Sequence, residues 1–170
     1  MADMILTTHA IAGAAVASLN PARPISGFFA GFVLHFILDA IPHWEYEIKS
    51  GSIDPTVAAN LVFDRTFFAD ILRIGSDFSL GIILSLALFY SPQSAFAVLA
   101  GAVGGVTPDA LQFVYGRVRR GPIVYLQKFH EGIHSPYLKL RNMPAFGITL
   151  QILIVAIIVL LVYTYHGRFL

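Results

Sequence analysis

The sequence predicts an all-α fold: a polytopic transmembrane bundle of about five spanning helices, with one amphipathic helix at the interface. Three observations predict it. Hydrophobic residues make up 56% of the chain and charged residues 12%, with a mean hydropathy of +0.72, well outside the averages of soluble domains. The charges are clustered, which leaves long uncharged runs separated by turn-forming residues. At 170 residues, the chain is too small to hide so much apolar surface in an aqueous fold. It reads as a single integral membrane domain, residues 1–170.

The first uncharged run, Met4 to Ala22, is interrupted by His9 and a few small polar residues. Ala15-Val16-Ala17 has the small-residue pattern of a cleavage site. The segment before it carries Asp3 in place of a basic region, and Thr7, Thr8 and His9 lie within its apolar stretch, so it is expected to remain as structure. Asn20-Pro21-Ala22-Arg23-Pro24 reads as a tight turn into a second run, Ile25 to Leu38, which meets Asp39 and ends at Ile41-Pro42. Gly27 and Gly31 would let the two helix backbones approach closely.

From His43 to about Ser76 the chain is mixed. Trp44 and Tyr46 suit the headgroup level. Asp54-Pro55 offers a cap and first-turn proline for a helix beginning near Thr56, which carries Asp64, Arg65, Asp70 and Arg73 among apolar residues and reads as the amphipathic helix. Asp77 and Asp109 then bracket 31 uncharged residues, 78–108. One straight helix of that length would run ~46 Å against a hydrocarbon core of ~30 Å, needing a tilt of roughly 50°, beyond the usual range. Ser91-Pro92-Gln93 supplies a break, so two helices are expected, about Asp77–Tyr90 and Ser94–Val106, with Gly101 and Gly105 as a second close-packing pair. The basic segment Arg117 to Arg141 follows, and Ala145 to Tyr165 is the clearest single span.

The hairpin has a consequence for chemistry. With a turn at Ser91-Pro92, Asp77 and Asp109 lie on one side of the membrane, together with His9, His35, Asp39, His43, His130 and His134. Charge agrees. Of the 11 lysines and arginines, Lys49, Arg65, Arg73, Arg117, Arg119, Arg120, Lys128, Lys139 and Arg141 fall on that face, and only Arg23 and Arg168 fall opposite. The positive-inside rule makes the face cytoplasmic, in a protein that crosses the membrane several times.

The polar residues form patterns suited to metal. His35 and Asp39, four apart, share one helix stripe, and Pro42 should let His43 fold back. A carboxylate within a span costs roughly 2.5–3.5 kcal/mol unless it finds a partner. His130 and His134 are spaced i, i+4, which places two imidazoles on one helix face, although Gly132 weakens that helix. The plainer readings are headgroup contacts for His43 and surface histidines for His130 and His134. Asp109 or Thr107 could cap a following helix, and Asp77 could simply oppose a helix dipole. His9 lies one turn inside a span and needs a partner there. Without cysteine, thiolate ligands and disulfides are excluded, and a nitrogen and oxygen set suits Zn, Mn or Fe. The net charge of +1 gives no basis for nucleic-acid binding.

At these residues the chain resembles a family of small bacterial and archaeal inner-membrane proteins described as membrane-bound metal-dependent hydrolases. The matching pieces are Thr8-His9-x3-Gly13, His35-x3-Asp39-x2-Pro42-His43, Asp77-x3-Gly81, Pro108-Asp109 and His130-x3-His134-Ser135. More distantly, their order resembles zinc-dependent phospholipase C. The resemblance implies metal ligation by His9, His35, Asp39, His43, Asp77, Asp109, His130 and His134. It also implies hydrolysis of a phospholipid or other lipid-linked phosphoester with a divalent metal, foremost Zn. Leu111 stands where a second acidic residue is expected, which argues against a two-metal site. Transport or ion handling, a di-iron oxidase and a non-catalytic membrane scaffold are the competing classes. No internal repeat of the transporter kind is visible, and the histidines are sparser than di-iron oxidase chemistry usually brings.

Overall fold

The computed structural model describes residues 2–50, 64–133 and 140–165. Two short strands, β1 (Ala2–Met4) and β2 (Tyr46–Ile48), pair antiparallel with Met4 opposite Tyr46. The rest is helical: α1 (Leu6–Ser18), α2 (Pro24–Asp39), α3 (Arg65–Phe89), α4 (Ala95–Arg117), α5 (Pro122–Ile133), a 3-10 turn at Leu140–Asn142, and α6 (Pro144–Tyr165). The strand pair was not anticipated. It has only three residues on each side and no alternating apolar pattern to announce it.

Three helices are long and apolar enough to cross a membrane: α3, α4 over Ala95–Gly116, and α6. This is a membrane protein by those helices and by its surface. Ile25, Phe29, Val33 and Ile37 make an exposed apolar stripe on α2, and Ile152, Ile157 and Leu161 make another on α6, the inverse of a water-facing helix. At 13 and 16 residues, α1 and α2 measure ~20 and ~24 Å, shorter than the hydrocarbon layer.

α1 is the axis of the bundle. It packs against α2, α3, α4 and α6, and its alanines at 10, 12, 14, 15 and 17 are all buried. Small residues on every side permit this, because helices in lipid associate by close backbone packing. Gly27 packs against Ala17 of α1 as expected, but Gly31 faces α4 instead. A Cβ on Gly101 would collide with Gly13 of α1, and one on Gly31 of α2 would strike the Gly101 carbonyl.

Both expected hairpins form. Pro24 occupies the first turn of α2 after the Asn20–Arg23 turn. Between α3 and α4, the Ser94 hydroxyl closes the turn by donating to the Phe89 carbonyl at 2.8 Å and accepting from the Ser91 amide at 2.8 Å. Two boundaries differ from expectation. The amphipathic segment is no separate helix: α3 runs unbroken from Arg65, capped by Asp64, whose carboxylate accepts from the Phe67 amide at 2.9 Å. No proline interrupts it, and its 25 residues span ~37 Å, so its charged first turns extend past a ~30 Å core. The expected start near Thr56 lies outside the described residues. α4 likewise does not stop at Val106 but carries Pro108 within it to Arg117. Pro108 removes only the donor for the Gly104 carbonyl, and the helix resumes beyond. Asp109 is therefore a mid-helix carboxylate rather than a cap.

Candidate metal centre

Four helices deliver one side chain or more to a single buried point. α1 brings His9, the last turn of α2 brings His35 and Asp39, α4 brings Asp109, and α5 brings His130; each is at most 4% exposed. Asp39 is the hub. Its Oδ2 lies 2.9 Å from His35 Nε2 and 2.8 Å from His130 Nε2, and its Oδ1 lies 3.2 Å from His9 Nε2. The last approach is one of ion-pair distance without hydrogen-bond alignment. Asp109 Oδ1 stands 3.7 Å from His35 Nε2 and 3.9 Å from His130 Nε2, and it accepts from the Gln112 side-chain Nε2 at 3.0 Å.

The tautomer of His35 follows from its other nitrogen. His35 Nδ1 sits 2.8 Å from the Gly105 carbonyl. A carbonyl only accepts, so Nδ1 carries the proton and donates. In the neutral ring, Nε2 then presents a lone pair. That lone pair faces a carboxylate oxygen at 2.9 Å and His130 Nε2 at 3.2 Å. The His35 lone pair and the Asp39 oxygen are both acceptors, and at 2.9 Å they repel unless a metal ion or a proton lies between them, whereas His130 Nε2 can face them as a donor or as a lone pair according to its tautomer. The spacing suits an ion. Ligands at ~2.0–2.1 Å from a tetrahedral centre stand roughly 3.3 Å from one another, and the separations here run from 2.8 to 3.9 Å. Two ligand groups, His9-His35-Asp39 and His35-Asp109-His130, meet the geometry of a metal site and share His35. The buried donor set could therefore hold a metal ion through nitrogen and oxygen.

Apolar rings close one side. Phe36 packs edge-on against His35 (5.4 Å), His130 (5.3 Å) and Phe129 (5.1 Å) between ring centroids, which excludes water and strengthens the electrostatics inside.

The remaining expected ligands are placed differently. His43 stands beside the cluster, its ring 6.4 Å from that of His9. Its Nδ1 donates to the Ile41 carbonyl at 2.7 Å, and its Nε2 meets Glu45 Oε1 at 2.9 Å. Burial works against its charge, but the hydrogen bond and charge of Glu45, with the Ile41 carbonyl, raise its pKa to about 9. Asp77 is not in either ligand group. Its carboxylate accepts from the Leu6 and Thr7 amides, the Thr7 hydroxyl and the Tyr46 hydroxyl. Burial, and then the Asp77 charge, push the Tyr46 phenol well above its ordinary pKa, so it stays a donor. His134 lies outside the described residues, as do Ser135 and His166.

Sequence reasoning missed Gly105, Glu45, Gln112 and Tyr46. Glu45, two residues from His43, was within reach of a local argument. The Gly105 carbonyl was not, because any residue has a carbonyl and only the packing of α2 on α4 aims this one. Comparison with family models, curated proteins and solved structures finds no match to this chain.

Proposed function

We propose that the chain is a membrane-bound metal-dependent hydrolase acting at the cytoplasmic face of the inner membrane, on a phospholipid or other lipid-linked phosphoester. The observation that carries this reading is the convergence of three imidazole Nε2 atoms and the Asp39 and Asp109 carboxylates at one buried point. His35, His130 and Asp39 hold the metal, His9 completes the set from α1, and Asp109 is either a further ligand or the group that orients a bound water. His35 Nε2 belongs to both ligand groups and has one lone pair, so the two groups are halves of a single centre, with Zn the foremost candidate and Mn or Fe alternatives.

Bound there, a divalent ion would supply Lewis acidity and lower the pKa of a coordinated water toward neutrality. The protein's own residues do the rest. Gly105 locks the His35 tautomer, Phe36, backed by Phe129, closes one side of the cluster, and Arg120 and Lys128, exposed on the α4–α5 turn and on α5, would attract an anionic headgroup. In this reading α1 and α2 also enter the membrane, for about five spans in all. The excess of basic residues on the site's face supports the cytoplasmic orientation, and the resemblance of the His and Asp motifs to membrane-bound hydrolases supports the reaction class.

The test is hydrolysis of phospholipids and of a chromogenic phosphodiester by the detergent-purified protein, before and after chelation and metal return. Activity that is lost on chelation, restored by Zn, and absent in Asp39→Ala and His35→Ala supports the reading. Full activity in Asp39→Ala refutes it. Metal uptake by proteoliposomes without hydrolysis would point instead to transport, and neither metal nor turnover would point to a scaffold.

A further inference from the structure

Asp77 sits on α3, yet the four hydrogen bonds accepted by its carboxylate all secure the start of α1 and the strand beside it. Oδ2 accepts from the Leu6 amide at 2.6 Å and from the Tyr46 hydroxyl at 3.1 Å. Oδ1 accepts from the Thr7 amide at 3.1 Å and the Thr7 hydroxyl at 2.5 Å. α1 needs this help. Its N-cap position is Ile5, which has no side-chain oxygen and makes no capping bond, so its first amides lack partners of their own. A carboxylate at that end also meets the positive pole of the helix dipole.

Because the two oxygens address different amides, they fix rotation as well as height. Thr7 and His9, two residues apart on a helix, point to nearly opposite sides. The face of α1 that Asp77 grips is thus the reverse of the face that carries His9 to Asp39, 3.2 Å away. Tyr46 adds a brace, since β2 pairs with β1, the strand leading into α1. We propose that Asp77 is the positioning residue of the metal centre: it caps α1 from α3 and thereby sets His9 against Asp39, without being a ligand. The proposal rests on the metal-binding reading of the cluster.

The experiment uses the full-length, detergent-purified protein as wild type, Asp77→Asn, Asp77→Glu, His9→Ala and His9→Ala/Asp77→Asn. Asparagine keeps the size but turns one acceptor into a donor facing other donors, whereas glutamate keeps two acceptor oxygens. Tyr46→Phe, which deletes one bond, keeps the test open if Asp77→Asn fails to fold. Hydrogen exchange of peptides from α1 and from α6 reads the cap. Co2+ affinity by chelator competition, with the Co2+ visible spectrum, reads the centre.

Asp77→Asn is expected to speed exchange in the first turn of α1 but not in α6, and to weaken Co2+ binding about 10–100-fold, as loss of outer-shell support does. Asp77→Glu should recover most of both, and Tyr46→Phe should shift both in the same direction by less. In the His9→Ala background Asp77→Asn should add under about twofold, because a residue acting through His9 has nothing left to act on. Unchanged exchange in α1 overturns the capping role. Unchanged Co2+ affinity in Asp77→Asn, or an equal loss with and without His9, overturns the positioning role while the metal centre stands. A wild-type protein that binds no Co2+ overturns the metal reading itself, and this role with it.

Discussion

Gly105 is where one added methyl should disturb the site most directly. On α4, a Cβ at this position would run into the His9 carbonyl of α1, and the Gly105 carbonyl is the acceptor that holds the His35 ring. Gly105→Ala therefore forces α1 and α4 apart and displaces two metal-centre histidines at once. Overpacking of this kind costs about 1–3 kcal/mol of stability. Loss of the outer-shell support of His35 should weaken metal binding by a further 10–100-fold, equivalent to about 1.4–2.8 kcal/mol. The control is on the same helix: Gly116 has nothing within 4 Å of a built Cβ, so Gly116→Ala should leave both quantities unchanged or gain up to ~1 kcal/mol from helix propensity. Thermal unfolding in detergent and metal affinity by chelator competition measure the two effects. Wild-type metal affinity in Gly105→Ala would refute the argument that α1–α4 contact sets the geometry of the centre.

Other perturbations test separate links. Asp39→Asn removes the charge at the hub of three imidazoles, and should lower metal affinity by at least about 100-fold, read by the same competition. His43 has its pKa raised to about 9 from 6.5. Its charged form thus contributes stability fully below pH 6.5, and that contribution is lost as pH rises through about 9. Glu45→Gln should bring the His43 titration down toward its ordinary value in an NMR experiment and flatten the fall in stability over that window. The chain has no cysteine, so single-cysteine reporters are clean. Arg65→Cys and Arg120→Cys should react with an impermeant maleimide from one side of the membrane, and Gln93→Cys, at the α3–α4 turn, from the other.

The helices were legible where composition alone decides. α6 begins one residue from its expected start, and Ser91-Pro92 breaks the long uncharged run as expected, because twenty apolar residues and a proline leave few alternatives. Boundaries were lost where tertiary contacts override local signals. Pro108 reads as a stop in isolation, yet α4 continues through it. Asp77 reads as the start of a span, yet it lies inside a 25-residue helix. In the site, His9, His35, Asp39, Asp109 and His130 could be collected because buried imidazoles and carboxylates at one bundle end need one another. The Leu6 and Thr7 amides that donate to Asp77 could not be foreseen, because every residue has an amide and only the packing of α3 on α1 brings these two to it.

The most direct test is metal analysis of the purified protein joined to X-ray absorption at the metal edge. The account predicts about one divalent ion per chain, with a shell of nitrogen and oxygen at ~2.0–2.1 Å that includes scattering from three imidazoles, reduced to two in His130→Ala. A protein that emerges metal-free after purification in metal-replete buffer, or a shell without imidazole, would contradict it.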